Sequence, residues 1–165
     1  MADLIVILTE QALGAGDAGR ILALHEGEEL DYHVLVPADT ERNLLVDVID
    51  HLSMLHLRAA LDAVRGREHG GKHGGDAARA TAKDALDASL VALRSHGRAA
   101  EGQVTVDDPL PAVQAQVERL GAREVVVVTR PHAVEDTFHR DWASRAREDL
   151  GVPVLHVYAG TTFLG

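Results

Sequence analysis

The chain has 165 residues and a net charge of −10 with neutral histidines, and it contains no cysteine. This length supports one domain over residues 1–165 with a sizeable core, and the lack of cysteine excludes disulfides, thiolate metal sites and thiol nucleophiles. An acidic surface repels the phosphate backbone on which nucleic-acid affinity depends, and no apolar run is long enough to cross a membrane. We therefore expect a cytoplasmic protein whose partners include neither nucleic acid nor membrane.

The first part of the chain alternates two predicted strands with two predicted helices. Residues 4–8, Leu-Ile-Val-Ile-Leu, form a continuous apolar run, which is typical of a strand buried on both faces of a parallel sheet. Residues 32–36 form a second strand of intermediate character. Helices are predicted over residues 16–28 and 40–65, the second because apolar residues recur along one stripe.

A segment rich in glycine and histidine, residues 66–76, interrupts the helical pattern. Each glycine costs a helix about 1 kcal/mol relative to alanine, so we predict a flexible insertion between two helices. The spacing of glycine and lysine is similar to that of a phosphate-binding loop, but His73 follows Lys72 where such a loop needs Ser or Thr to hold Mg²⁺. His69 and His73 would share a helix face, yet the glycines argue against that helix and so against a metal site.

Helices and strands continue to alternate in the rest of the chain. The helices are predicted over residues 77–97, 110–120 and 137–149, and the strands over residues 103–107, 125–128 and 152–158. Residues 125–128 are four valines and resemble a central strand. The polar-apolar alternation of residues 103–107 and the proline near the start of residues 152–158 are typical of outer strands.

This alternation predicts an α/β fold in three layers, because right-handed crossovers place helices on both faces of a parallel sheet. With the first and fourth strands central and the third and fifth outside, the strand order is 3-2-1-4-5. In such sheets ligands bind beyond the C-terminal strand ends, where the winding direction reverses. The candidate site is therefore the crevice between strands 1 and 4, where the loops that start at Thr9 and Thr129 meet.

Three segments make the chain resemble the universal stress protein family over nearly its whole length. They are ADLIVILTE at the first strand, AREVVVVTRPH at the fourth and GVPVLHVY at the fifth. The resemblance implies the same five-stranded fold and a role in the stress response. It also implies a homodimer through the fifth strand, whose ends are Val152 and Tyr158.

The ATP-binding members of that family carry features that this chain lacks. They have an aspartate at the end of the first strand, where this chain has Thr9 followed by Glu10. After the fourth strand they have a glycine-rich signature ending in Ser or Thr, but here no glycine occurs between Gly121 and Gly151. Because glycine is needed where the backbone approaches a phosphate closely, we expect a degenerate nucleotide site. We therefore predict that the protein has no cofactor, and that binding of ATP or AMP is disfavoured.

The crevice still contains polar residues, so a nucleotide or a small anionic ligand is the alternative. An arginine at the mouth of such a crevice, with the N–H groups of the following helix, can hold a carboxylate or a phosphate. Arg130 can instead pair with Glu10 or Asp136 and close an empty crevice. The candidate ligand-binding residues are Thr9, Glu10, Val36, Thr129, Arg130, His132 and Arg140.

Catalysis and metal binding are not expected. His132, Glu135 and His139 could gather a metal ion, but such side chains near a helix start more often cap it. No Gly-x-Ser-x-Gly nucleophile elbow is present, and the serines lie on predicted helices. The sequence therefore predicts a non-catalytic binding or regulatory protein of the universal stress protein type.

Overall fold

The computed structural model describes residues 2–38, 72–105, 109–129 and 149–160, and within these ranges strands alternate with helices. The strands are β1 (Asp3–Thr9), β2 (Leu30–Pro37), β3 (Ala100–Thr105), β4 (Glu124–Thr129) and β5 (Val154–Tyr158). The helices are α1 (Ala15–Ala23), α2 (Lys72–Ser95) and α3 (Pro109–Leu120).

The strands form one parallel sheet in the order β3-β2-β1-β4-β5. β1 lies at the centre and pairs with β2 on one side and β4 on the other, so that Ile7 lies beside both Val34 and Val126. All three side chains are fully buried, as the continuous apolar run in β1 predicts. The strand order predicted from the sequence is therefore confirmed.

The core has two parts, one on each face of the sheet, because side chains alternate in direction along every strand. Helices α1 and α2 bring Ile21 and Leu93 to one face. Helix α3 brings Val113 and Val117 to the other face. The predicted three-layer α/β/α fold is confirmed, and none of the described helices is long and apolar enough to cross a membrane.

The ends of two helices differ from those predicted. α1 ends at Ala23 rather than at residue 28, because the turn that follows contains Gly27 in the left-handed conformation, with φ at 85°. α2 begins at Lys72 rather than at residue 77 and so includes the end of the glycine-rich segment, whereas residues 66–71 lie outside the described ranges. The buried stripe of α2, which includes Leu86, supplies packing that offsets the low helix propensity of glycine.

The third strand also differs from its prediction, since β3 begins at Ala100 rather than at residue 103. Glycine and glutamate are depleted in strands, and for this reason the sequence Ala-Glu-Gly at its start does not look like a strand. These residues nevertheless belong to the strand, because Gly102 pairs with Val34 on β2. The helix predicted over residues 40–65 and nearly all of that over 137–149 lie outside the described residues.

Candidate functional site

The C-terminal ends of β1 and β4 lie side by side, which places Thr9 opposite Val128 and next to Thr129 along the edge of the sheet. This edge is the predicted switch point between the central strands. We refer to it as the C-terminal edge. Of the predicted ligand-binding residues, Arg130, His132 and Arg140 lie outside the described ranges.

Thr9 is completely buried, and its hydroxyl takes part in the turn that follows β1. The Oγ1 group donates a hydrogen bond of 2.8 Å to the carbonyl of Gln11 and accepts one of 3.4 Å from the N–H of the same residue. Threonine hydroxyls commonly close turns in this way. The hydroxyl of Thr9 therefore shapes the loop from inside, and Glu10 beside it is half-buried.

Thr129 is held by a residue of the outer strand. Its Oγ1 and the Nε2 of His156 are joined by a hydrogen bond of 2.7 Å, and both side chains are buried. The His156 ring also contacts the ring of Tyr158, with 4.5 Å between the ring centroids. A hydroxyl beside an imidazole has the geometry of a nucleophile and its base, but a substrate could reach neither buried group without a movement of the chain.

Val36 is a predicted ligand-binding residue that the structure places in the core. Its side chain is fully buried on the sheet face covered by α1 and α2, in the same cluster as Val34 and Val128. Among the described residues, no group of three or more histidine, aspartate or glutamate side chains could hold a metal ion.

A buried carboxylate that was not predicted from the sequence also lies at this edge. Asp17, in the first turn of α1, accepts hydrogen bonds from the N–H of Gly14 (3.3 Å), the N–H of Gly160 (2.8 Å) and Nη2 of Arg20 (3.1 Å). Arg20 also donates from Nη1 to the carbonyl of Tyr158, at 3.1 Å. We call Asp17 and Arg20 together the α1–β5 clamp, because they tie the start of α1 to the end of β5.

Part of this clamp has a sequence signal. An acidic side chain three residues after a helix N-cap can accept the N-cap N–H, and the spacing of Gly14 and Asp17 fits that half of a capping box. The other contacts join positions far apart in the chain. They could not be predicted without the fold.

A second buried contact holds the loop between β1 and α1. Ser89 of α2 is fully buried, and its hydroxyl accepts a hydrogen bond of 2.9 Å from the N–H of Leu13 while donating one of 2.7 Å to the carbonyl of Ala85. Leu13 is itself buried in the core. The loop is therefore fixed to helix α2 on one side and, through the α1–β5 clamp, to β5 on the other.

The Ser89→Ala variant should test the importance of this contact. Removing the hydroxyl leaves the buried N–H of Leu13 without its acceptor, so we expect the free energy of unfolding to fall by about 1–2 kcal/mol. Urea denaturation and hydrogen exchange at the Leu13 amide would measure the effect. Ser95→Ala on the same helix is the matched control, since the hydroxyl of Ser95 is exposed and donates its hydrogen bond within the helix, to the carbonyl of Ala92. Equal stability of the two variants would contradict the prediction.

Five parallel strands in this order, with helices on both faces, form an α/β fold that this chain shares with solved universal stress proteins. The chain is similar to the solved universal stress protein from Archaeoglobus fulgidus, with a TM-score of 0.54 and 13% identity over 94% of each chain. A structure of the universal stress protein from Archaeoglobus fulgidus in complex with dAMP gives a TM-score of 0.53 and 12% identity, over 94% of this chain and 97% of that one. A protein from the universal stress protein family of Burkholderia pseudomallei gives a TM-score of 0.52 and 16% identity, over 94% of this chain and 96% of that one.

The similarity is one of structure. No protein-family model matches the sequence, and the search of curated proteins gives no match. The resemblance to universal stress proteins that the sequence suggests is therefore confirmed at the level of the fold.

Proposed function

We propose that this chain is a cytoplasmic binding or regulatory protein of the universal stress protein type that acts in the stress response without catalysis. It does not hold ATP in the way usual for ATP-binding members of that family. The observation that carries the proposal is the state of the C-terminal edge, where the hydroxyls of Thr9 and Thr129 are both used in internal hydrogen bonds.

Phosphate binding at such an edge needs backbone N–H groups that can approach the ligand closely. Glycine allows that approach, and the stretch between Gly121 and Gly151 contains none. At the end of the first strand, where the ATP-binding members of the family carry an aspartate, this chain has the buried Thr9. Both differences disfavour the nucleotide geometry that the resemblance would otherwise imply.

The alternative is a protein that binds a nucleotide, ATP or AMP, or a small anionic ligand in the crevice between β1 and β4. It is supported by the dAMP complex of the Archaeoglobus fulgidus protein, in which a protein of this fold holds a nucleotide. It is also supported by the position of Arg130 directly after β4. A guanidinium there could pair with a phosphate or carboxylate group.

We also propose a homodimer formed through β5. This strand lies at the end of the sheet, and within the described residues it pairs only with β4. An outer strand offers backbone hydrogen-bonding groups to a second strand, and the half-buried Leu155 and Tyr158 would become further buried in such a pairing.

Native mass spectrometry of protein purified from cell extract, together with calorimetric titration of ATP and AMP, tests these proposals. We expect the mass of a dimer, no retained adenine nucleotide, and no heat of binding for either compound. Retained nucleotide would overturn the proposal of a degenerate site and leave the fold untouched. A monomer at the concentrations of the cell extract would overturn the dimer alone.

If AMP or inorganic phosphate does bind, the Arg130→Ala variant separates a specific crevice site from weak surface binding. Loss of a charge-assisted hydrogen bond to the anion should weaken binding about tenfold or more. The control is Arg79→Ala, which removes an equal charge from the exposed face of α2. Equal weakening in both variants would count against the crevice.

A further inference from the structure

His33 is a buried imidazole in the middle of β2. Its side chain is 4% exposed and points to the same face of the sheet as Leu35, two residues on, which is the face that α3 covers. In the sheet register it lies between Val6 on β1 and Glu101 on β3. Neither the fold nor the proposed ligand crevice explains why a histidine occupies this apolar position.

The hydrogen bonding of this ring is incomplete. Nδ1–H donates to Oε1 of Glu101 over 3.3 Å, whereas Nε2 is buried and has no hydrogen-bond partner within the described part of the chain. A neutral imidazole that donates from Nδ1 leaves Nε2 as a bare acceptor, which burial tolerates at modest cost. A protonated ring places an N–H at Nε2 instead, so protonation creates a buried donor without an acceptor.

Within the described ranges, the charges that face His33 come from two elements, β3 and α3. Burial lowers the pKa of His33, the hydrogen bond and charge of Glu101 on β3 raise it, and the positive charge of Arg119 on α3 lowers it further. Arg119 is held in place by Gln116, whose side-chain oxygen accepts hydrogen bonds of 2.9 and 2.6 Å from Nε and Nη2. β1 contributes only the apolar Val6 opposite the ring. The net direction is a lowered pKa, because burial is the largest of these effects and the charge of Glu101, which is 69% exposed, is screened by solvent.

We infer that His33 is an acid-sensitive element which loosens the packing of α3 on the sheet when the pH falls into the mildly acidic range. In the unfolded chain the imidazole binds a proton near its ordinary pKa of about 6.5, whereas in the folded chain it does so only at lower pH. Between those two pKa values the unfolded state holds more protons than the folded state. Stability is therefore complete above about pH 6.5 and is lost as the pH falls towards the pKa of the folded state.

Urea denaturation of the full chain at about pH 7.5 and at about pH 5.5 tests this inference with a His33→Leu variant. We expect the unfolding midpoint of the wild type to fall between the two pH values and that of the variant to fall less. His96→Gln is the matched control, because His96 is exposed and should leave the wild-type difference unchanged. An equal fall in the wild type and in His33→Leu would overturn the inference.

A second variant keeps the test decisive if His33→Leu does not fold. Glu101→Gln removes a carboxylate that favours the protonated ring, and its exposed position should leave the fold intact. The pKa of His33 should then fall further, which widens the pH range of destabilisation. The unfolding midpoint of this variant should therefore fall more between the two pH values than that of the wild type. NMR titration of the His33 ring protons gives the pKa directly. A value at or above the ordinary histidine pKa in the wild type would refute the proposal.

Discussion

The Gly102→Ala variant is expected to lose about 2 kcal/mol or more of its free energy of unfolding. A Cβ atom at this position would lie 2.3 Å from the backbone oxygen of Val34 and 2.7 Å from Cδ1 of Leu86. Real Cβ atoms do not approach other atoms so closely, so β2, β3 or α2 would have to move. Leu86 is a core side chain, which makes its displacement costly as well.

The loss should be measured by urea denaturation followed by far-UV circular dichroism. Gly16→Ala in α1 is the matched control, since a Cβ there meets nothing within 4 Å. The helix propensity of alanine should keep this control as stable as the wild type or slightly more so. If Gly102→Ala were as stable as Gly16→Ala, the close approach of β3 to β2 would be wrong.

The Asp17→Asn variant is expected to lose about 2–3 kcal/mol, because it breaks the α1–β5 clamp. Asn has one side-chain oxygen and cannot accept the N–H groups of Gly14 and Gly160 through separate oxygens as the carboxylate does. The substitution also removes the negative charge opposite Arg20. Arg20 would then be left partly buried without its anionic partner.

Two measurements distinguish this loss from a general effect of removing a charge. The control Asp87→Asn breaks the exposed pair with Lys83 on α2 and should not change stability measurably. Hydrogen exchange should become faster at the amides of Gly14 and Gly160 in Asp17→Asn alone. Unchanged protection of both amides would show that the clamp contributes nothing to the C-terminal edge.

The parts of the fold that could be predicted are those in which local pattern and burial agree. The apolar runs that became β1 and β4 are buried on both faces, and this property appears in sequence as an unbroken series of valine, isoleucine and leucine. The start of β3 could not be predicted, because Gly102 belongs to the strand only through its approach to β2 and α2. Local propensity gives no sign of such an approach.

The candidate site, like the fold, could be predicted from the sequence only in part. The topology located the C-terminal edge, and Thr9 and Thr129 do lie there on neighbouring strands. The use of their hydroxyls could not be predicted, since the partner of Thr129 is His156 on another strand. Val36 is among the predicted ligand contacts, but its side chain belongs to the core.

The contacts that hold the C-terminal edge also bear on the order in which the chain folds. The hydrogen bond between Leu13 and Ser89 spans 76 positions of the sequence, and that between Asp17 and Gly160 spans 143. Closing loops of this length costs entropy before any contact compensates for it, so such contacts form late. A nascent chain therefore cannot complete the α1–β5 clamp, which holds the C-terminal edge, before Gly160 has been synthesised.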